Sequence, residues 1–356
     1  MSGPLSGIRI VEFAGLGPAP FAAMLLADFG ADVIRIERPG APQLMPQNPD
    51  ILLRGRPTVE LDLKSDVGLR DACRLAAQAD ALIEGLRPGV MERLGLGPDA
   101  LLAENPALVY GRMTGWGQHG PLAARAGHDI NYIAQTGLLG AMGGDAPEFP
   151  LNLLGDFGGG GMYLAFGILA SVMHARATGQ GQVVDAAIVD GTAHLGTMIY
   201  SMLQSGIWAD QRRANILDGA APFYRVYECA CGGHMAVGAI EPQFWAALVA
   251  GLGITPVAGQ MERARWPDLS AQLAATFMGK TRDEWTEIFA ETDACATPVL
   301  SLAEAQADPH MAARGVFGAA GPRPAPVLSA TPAEAGEARP KVLGSVDEAL
   351  ALWGAT

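Results

Sequence analysis

The stretch that most narrows what this chain can become is its opening, "IRIVEFAGLGPAPFAAMLLADFGADVIRIERPG". Two short runs rich in branched apolar residues, Ile8 to Ala14 and Val33 to Glu37, flank a Gly-Pro turn and an amphipathic stretch. That pattern predicts a βαβ unit, with the crossover holding the two strands parallel. The alternation continues with a strand over 58–63, a helix through "GLRDACRLAAQA", and strands over 81–85 and 107–114. The expectation is an α/β fold, a Rossmann-like large domain with a parallel sheet under helices.

Helical regions are expected over 157–178 and 184–207, and between 222 and 300 the pattern changes to that of a smaller α+β domain. The expected division is residues 1–190 with 325–356 as the large domain and 222–300 as the small one. Residues 191–221 and 301–324 would be linkers. Segments around 208–222 and 312–340, the latter rich in Ala, Pro and Gly, are read as extended connections.

Composition excludes several functions. The 356 residues are 49% apolar and 17% charged, enough for a sizeable core. With 24 Lys+Arg against 37 Asp+Glu the formal charge is −13, which argues against nucleic acid and anionic membrane as partners. Any anionic ligand must then be held by locally placed cations. The four cysteines are scattered and the single C-x-C has no second pair at zinc-ligand spacing, so reduced thiols, no metal site and a cytoplasmic location are expected. No basic stretch followed by an apolar run marks a signal peptide. Gly158–Met173 and Gly191–Ala209 carry no acid, Lys or Arg, and are expected as buried helices rather than membrane insertions.

Candidate site residues fall in separate stretches. "GLGPAP" has Pro20 where a dinucleotide fingerprint places its third glycine, which speaks against a nicotinamide-dependent oxidoreductase. Arg38 follows the second strand, and Lys64, Arg87 and Arg93 follow later ones. Cations at successive strand ends would converge on the carboxyl edge, a place for a polyanion; the alternative is a solvated surface. "AGHDINY" delivers His128 and Asp129 to a helix start, where the dipole favours a neutral imidazole able to act as a base; a plain cap by Asp129 is the alternative. Asp156 stands before four consecutive glycines, which would admit a ligand or a second chain unless Asp156 only caps the helix. Glu241 precedes Pro242 at another helix start, where Glu is a poor cap.

Taken together, "VEFAGLGPAPFAAMLLADFGADVIRIERP", "LDLKSD", "IEGLRPGVMERLGLGP", "GHDINY", "NLLGDFGGGGM", "VGAIEPQFW" and "DACATPVL" resemble the class III CoA-transferase (CaiB/BaiF) family, closest to its bacterial α-methylacyl-CoA racemase branch. The resemblance implies an isomerase interconverting (2R)- and (2S)-2-methylacyl-CoA thioesters through an enolate. His128 and Asp156 would act on opposite faces of the α-carbon, Glu241 would hold the imidazole, and the helix backbone at Asp129 would bind the thioester oxygen. Coenzyme A contacts carried over by motif are Arg38, Leu61, Asp62, Leu63, Lys64, Gly85, Leu86, Arg87, Arg93 and Gly127 through Tyr132. No cofactor is required, since coenzyme A is part of the substrate. An interlocked, ring-shaped homodimer is also implied. The alternative is an acyl-CoA:carboxylate CoA transferase with Asp156 as nucleophile, a branch expected to lack the histidine of "GHD". Met142, Met162, Met173, Met198 and Met202 would line an acyl-chain surface or fill the core.

Overall fold

The computed structural model describes residues 3–40, 50–319, 321–338 and 341–354. In chain order the large sheet opens with β1 (Arg9–Phe13), α1 (Pro18–Asp28), β2 (Asp32–Glu37), β3 (Thr58–Glu60), α2 (Asp66–Ala77), β4 (Ala81–Glu84), α3 (Val90–Arg93), α4 (Pro98–Glu104) and β5 (Val109–Thr114). Then follow α5 (Asp129–Gln135), α6 (Leu138–Ala141), a wide π-helical segment (Leu153–Met162), α7 (Tyr163–Thr178), β6 (Val183–Ala187), α8 (Ile188–Leu195) and α9 (Thr197–Gln204). The rest comprises β7 (Tyr224–Glu228), β8 (His234–Gly238), α10 (Pro242–Leu252), α11 (Trp266–Phe277), α12 (Arg282–Phe289), β9 (Ala296–Pro298), α13 (Leu302–Ala307) and α14 (Pro309–Arg314). Short β10 (Phe317–Gly318), β11 (Gly321–Pro322) and β12 (Val342–Leu343) precede α15 (Val346–Leu352).

The chain divides into two units: Met1–Thr136 with Pro150–Gly196 and Gly315–Thr356, and Gly137–Phe149 with Thr197–Arg314. In the first, seven strands form one sheet in the order β12-β3-β2-β1-β4-β5-β6. All of its pairings are parallel, as the alternating pattern requires. Ile10 and Val11 are adjacent and both fully buried, one in the core beneath α1 and α7, the other beneath α2, α4 and α15. A strand with both faces covered reads as an unbroken apolar run, and each fully buried Leu, Ile or Val contributes about 1.5–3 kcal/mol. Strand order reverses between β1 and β4, and the crevice outside the carboxyl ends of strands at such a switch point is where open α/β sheets take ligands. In the second unit β7, β8 and β9 form an antiparallel sheet over a core that includes Phe223, Trp266, Phe277 and Trp285.

Three expectations are corrected. The helix expected from 184 begins at Ile188; Val183–Ala187 is instead the strand β6, on the edge of the sheet beside β5. The linkers expected over 191–221 and 301–324 contain helical residues and a short hairpin, and 208–222 folds into a compact loop. Asn215 ties that loop by donating to the carbonyls of Ala209 and Gln211 while its Oδ1 accepts from the Ala209 N–H. At the glycine run the close neighbour is the chain itself: an added Cβ would sit 2.4 Å from Thr192 at Gly159 and 2.7 Å from Phe21 at Gly161, and one at Gly191 of α8 would sit 1.9 Å from the Gly159 carbonyl. These glycines let α8 and α1 of the same chain approach the π-helical segment.

The apolar helices are also less buried than expected. Leu153–Thr178 is long and apolar enough to cross a membrane, but one face packs on β5 and β6 while Phe166 and Met173 remain 73% and 74% exposed. The helix α9 has no buried residue.

Candidate active site

The site grows from the ends of β1 and β5. Past β5 the chain makes a loop that Tyr132 pins from α5: an added Cβ would fall 2.0 Å from its ring at Gly115 and 2.7 Å at Gly127. The Tyr132 hydroxyl donates to the Gly127 carbonyl at 2.5 Å, and its ring stands edge-on to Trp116 at 4.8 Å. Only glycine leaves room for this closure. It sets His128 in extended backbone as the N-cap of α5, exposed, its N–H donating to Asn131 Oδ1 at 3.0 Å.

One residue on, Asp129 is buried and its Oδ1 accepts the Asp156 N–H at 2.7 Å. That contact needs Gly155, where a Cβ would come within 2.4 Å of the same oxygen. Asp156 therefore hangs from Asp129 by its own backbone, with its carboxyl free to face the β1–α1 turn. Its Oδ2 accepts from Asn152 Nδ2 at 3.3 Å and lies 3.2 Å from where a Cβ on Gly17 would stand. Burial raises the Asp156 pKa from the ordinary carboxylate value; Asn152 lowers it, the charge of Asp129 raises it and His128 lowers it. Asp129 is likewise raised by burial, opposed by the N–H groups of Asp156 and Gly155. His128, Asp129 and Asp156 are thus brought together at one corner. A carboxyl within electrostatic range of a histidine and a second acid, raised by burial above the usual range, is suited to giving a proton as well as taking one.

The cation-bearing loops line the same edge. β3, β2, β1 and β4 are neighbours, so Lys64, Arg38, the Gly-Pro turn and Arg87 follow one another along the carboxyl ends. Arg38, Lys64, Arg87 and Arg93 are exposed, and none forms an ion pair among the described residues. Asp62 shapes its loop, accepting the Lys64 N–H at Oδ1 and the Ser65 hydroxyl at its carbonyl. Leu86 donates its N–H to Glu84 at 2.7 Å, and Gly85 lies 3.5 Å, by its would-be Cβ, from Ala19. Leu61 is buried in the core, Leu63 packs against it and Tyr132 is buried, so these side chains support the loops from behind.

The "GLGPAP" turn is structural at its second proline: Pro20 is buried and its carbonyl accepts from Arg56 Nη1 at 2.6 Å. Pro18 and Pro20 also remove two N–H groups that a phosphate cradle would need. Glu241 belongs to the second unit, where it is the N-cap of α10 without a side-chain capping bond. Sequence reading missed Gly155, Gly17, Gly115 and Asn152. Gly155 and Asn152 were within reach, standing one and four residues before Asp156 in "NLLGDF", whereas the others depend on tertiary approach.

CoA-transferase family III matches over residues 5–342. The α-methylacyl-CoA racemase of Mus musculus is 47% identical over 338 residues, 92% of this chain and 87% of that protein. The one of Homo sapiens is 46% identical with the same coverage. The crystal structure of a CaiB/BaiF family protein from Brucella suis superposes with a TM-score of 0.80 at 25% identity, covering 99% of both chains. This chain belongs to CoA-transferase family III.

Proposed function

We propose that the protein is an α-methylacyl-CoA racemase, moving the α-proton of a 2-methylacyl-CoA from one face of the carbon to the other. The observation that carries this reading is the hydrogen bond from the Asp156 N–H to Asp129, which sets an acid and His128 at one corner on different elements. One group removes the α-proton, leaving an enolate, and the other returns a proton from the opposite face. Burial that raises Asp156 suits it to the acid role in one direction and the base role in the other. First-turn N–H groups of a helix lack intrahelical acceptors, so those at Asp129 can receive the enolate oxygen. Glu241 is assigned to holding the imidazole, on sequence resemblance alone.

Coenzyme A is assigned to Arg38, the 61–64 and 85–87 loops, Arg93 and the 127–132 segment, with Leu61 and Tyr132 contributing backbone only. Both proton carriers are side chains of the chain itself, so no cofactor is required. The exposed apolar residues Phe166, Met173 and Met198 support the proposed homodimer and an acyl-chain surface; a cytoplasmic location completes the reading.

The racemase reading is preferred over a CoA transferase because His128 stands at the "GHD" helix start. In deuterated water the enzyme should exchange the α-hydrogen of either enantiomer while interconverting them, without an acceptor acid. His128→Ala and Asp156→Ala should each cost roughly 10² to 10⁴ in rate, and Glu241→Gln less. Dependence on an acceptor carboxylate without deuterium incorporation would instead mean a transferase with Asp156 as nucleophile.

A further inference from the structure

The second unit contains a cavity of about 700 Å³ that the reading above does not use, bounded by the 143–148 and 213–219 loops, β7, β8 and the start of β9. Much of its wall is apolar, from residues such as Val226, Ala236 and Val237. Four charged side chains border it. Asp218 is consumed in shaping the loop, accepting N–H groups of Ala214, Asn215 and Ala220. Glu148 is exposed. Arg213 is exposed as well and Arg225 is partly buried, and neither arginine forms an ion pair among the described residues.

Arg225 is held in place, its guanidinium 5.4 Å from the Tyr227 ring centroid, yet its Nε is buried without an acceptor. A buried cationic N–H left unpaired is costly, and natural proteins keep one where something else receives it. Arg213 carries a second anomaly. Its φ is 53°, a left-handed conformation disfavoured for a side-chain-bearing residue. Among the described residues only Leu151, Arg213 and Cys295 are non-glycines at positive φ, and two of these three border this cavity. Backbone strain of this kind persists where a site over-determines it.

We propose that the cavity binds a carboxylate carried on an apolar body, with Arg225 as the fixed anion-binding fork and Arg213 as the second cation. Two sources present that chemistry: the distal end of an acyl chain on coenzyme A, and a free carboxylic acid. Cys295 borders the cavity and lies within electrostatic range of Glu241, which the racemase reading assigns to the reaction, so the thioester source rests on that reading.

Calorimetric titration separates the sources without needing turnover. The probes are a 2-methyl-dicarboxylyl-CoA with a free distal carboxylate, its methyl-ended counterpart of equal length, and hexanoate. The variants are Arg225→Gln and Arg213→Gly; the second suits the left-handed backbone and so protects the fold. The charged thioester or hexanoate should bind, and each variant should weaken that binding by about tenfold or more, leaving the methyl-ended thioester unchanged. Loss confined to the charged thioester assigns the cavity to the acyl chain, and loss confined to hexanoate assigns it to a free acid. Binding that ignores the carboxylate, or that survives both variants, overturns the proposal. Racemisation of the methyl-ended thioester, measured in parallel, tests the catalytic reading separately.

Discussion

The large unit treats its buried carboxylates in two opposite ways: Glu12, Asp28 and Glu84 are each paired with arginine, whereas among the described residues Asp129 is not. On β1, Glu12 is fully buried and sits between two arginines, with Arg35 Nη1 at 2.7 Å from Oε1 and Arg56 Nη1 at 3.5 Å from Oε2. Arg56 is itself fully buried and also donates to the carbonyls of Pro20 and Leu52. At the end of the sheet, Asp129 Oδ1 accepts the Asp156 N–H and no arginine pairs with either residue among the described residues; Asp129 Oδ2, like Glu12 Oε2, is buried without a hydrogen bond. Charge that holds the fold is neutralised on the spot. Charge that is to change during a reaction is left without an arginine, so that nothing cationic but His128 offsets the rise that burial gives Asp156.

The largest effect should come from breaking the neutralised cluster. Arg56→Met leaves Glu12 with one partner instead of two and two carbonyls without a donor, and should destabilise the protein by roughly 3–5 kcal/mol. Urea unfolding measures this directly. A loss below about 1 kcal/mol would place Glu12–Arg56 with ordinary surface pairs and erase the contrast.

The sequence separates these two groups poorly, and the reasons are physical. Parallel strands announce themselves because both faces are buried, so β1, β2, β4 and β5 were legible from their apolar runs. β6 was not, because Ala187 passes straight into Ile188 of α8 with no turn residue between strand and helix. Arg38, Lys64 and Arg87 could be placed at strand ends by counting, but Arg35, three residues before Arg38, looks no different in the sequence until its pairing with Glu12 is seen. The proximity of His128 to Asp129 is local and therefore readable. The bond from Asp129 to the backbone of Asp156 spans 27 positions and depends on Gly155 lacking a side chain. The glycine run after Asp156 misled for the same reason: nothing local distinguishes room for a ligand from room for a neighbouring helix.

An intermediate effect should mark the cations outside the cluster. Arg38→Ala removes an exposed charge that no partner holds among the described residues, so the melting temperature should stay within about 1 °C. If Arg38 meets a coenzyme A phosphate, KM should rise about tenfold with kcat unchanged, because the lost contact is equal in ground and transition states. The penalty should shrink as added salt screens the phosphate in both enzymes. A fall in stability comparable to that of Arg56→Met would show Arg38 to be structural and remove one member of the ligand-facing set.

The smallest effect has the opposite sign. Burial raises Asp156 above its ordinary value of 3.8, with the charge of Asp129 adding to the shift, so the folded protein prefers this carboxyl protonated. Below the ordinary value both folded and unfolded states carry the proton and that preference contributes in full. As pH rises through the raised value the folded state must ionise against burial and a neighbouring acid, and the contribution is lost. Asn mimics the protonated form and retains an acceptor for Asn152. Asp156→Asn should therefore melt a few degrees above the wild type at neutral pH, about 2–4 °C for each kcal/mol in a protein of this size. The gain should fade as pH drops toward the ordinary carboxylate range, while racemisation is lost at every pH. Thermal melts of the two proteins between pH 4 and 8 measure both sign and slope. A variant less stable than wild type at neutral pH would mean that His128 neutralises Asp156 as Arg35 and Arg56 neutralise Glu12, and the two carboxylate sites would then differ in their partner rather than in whether they have one.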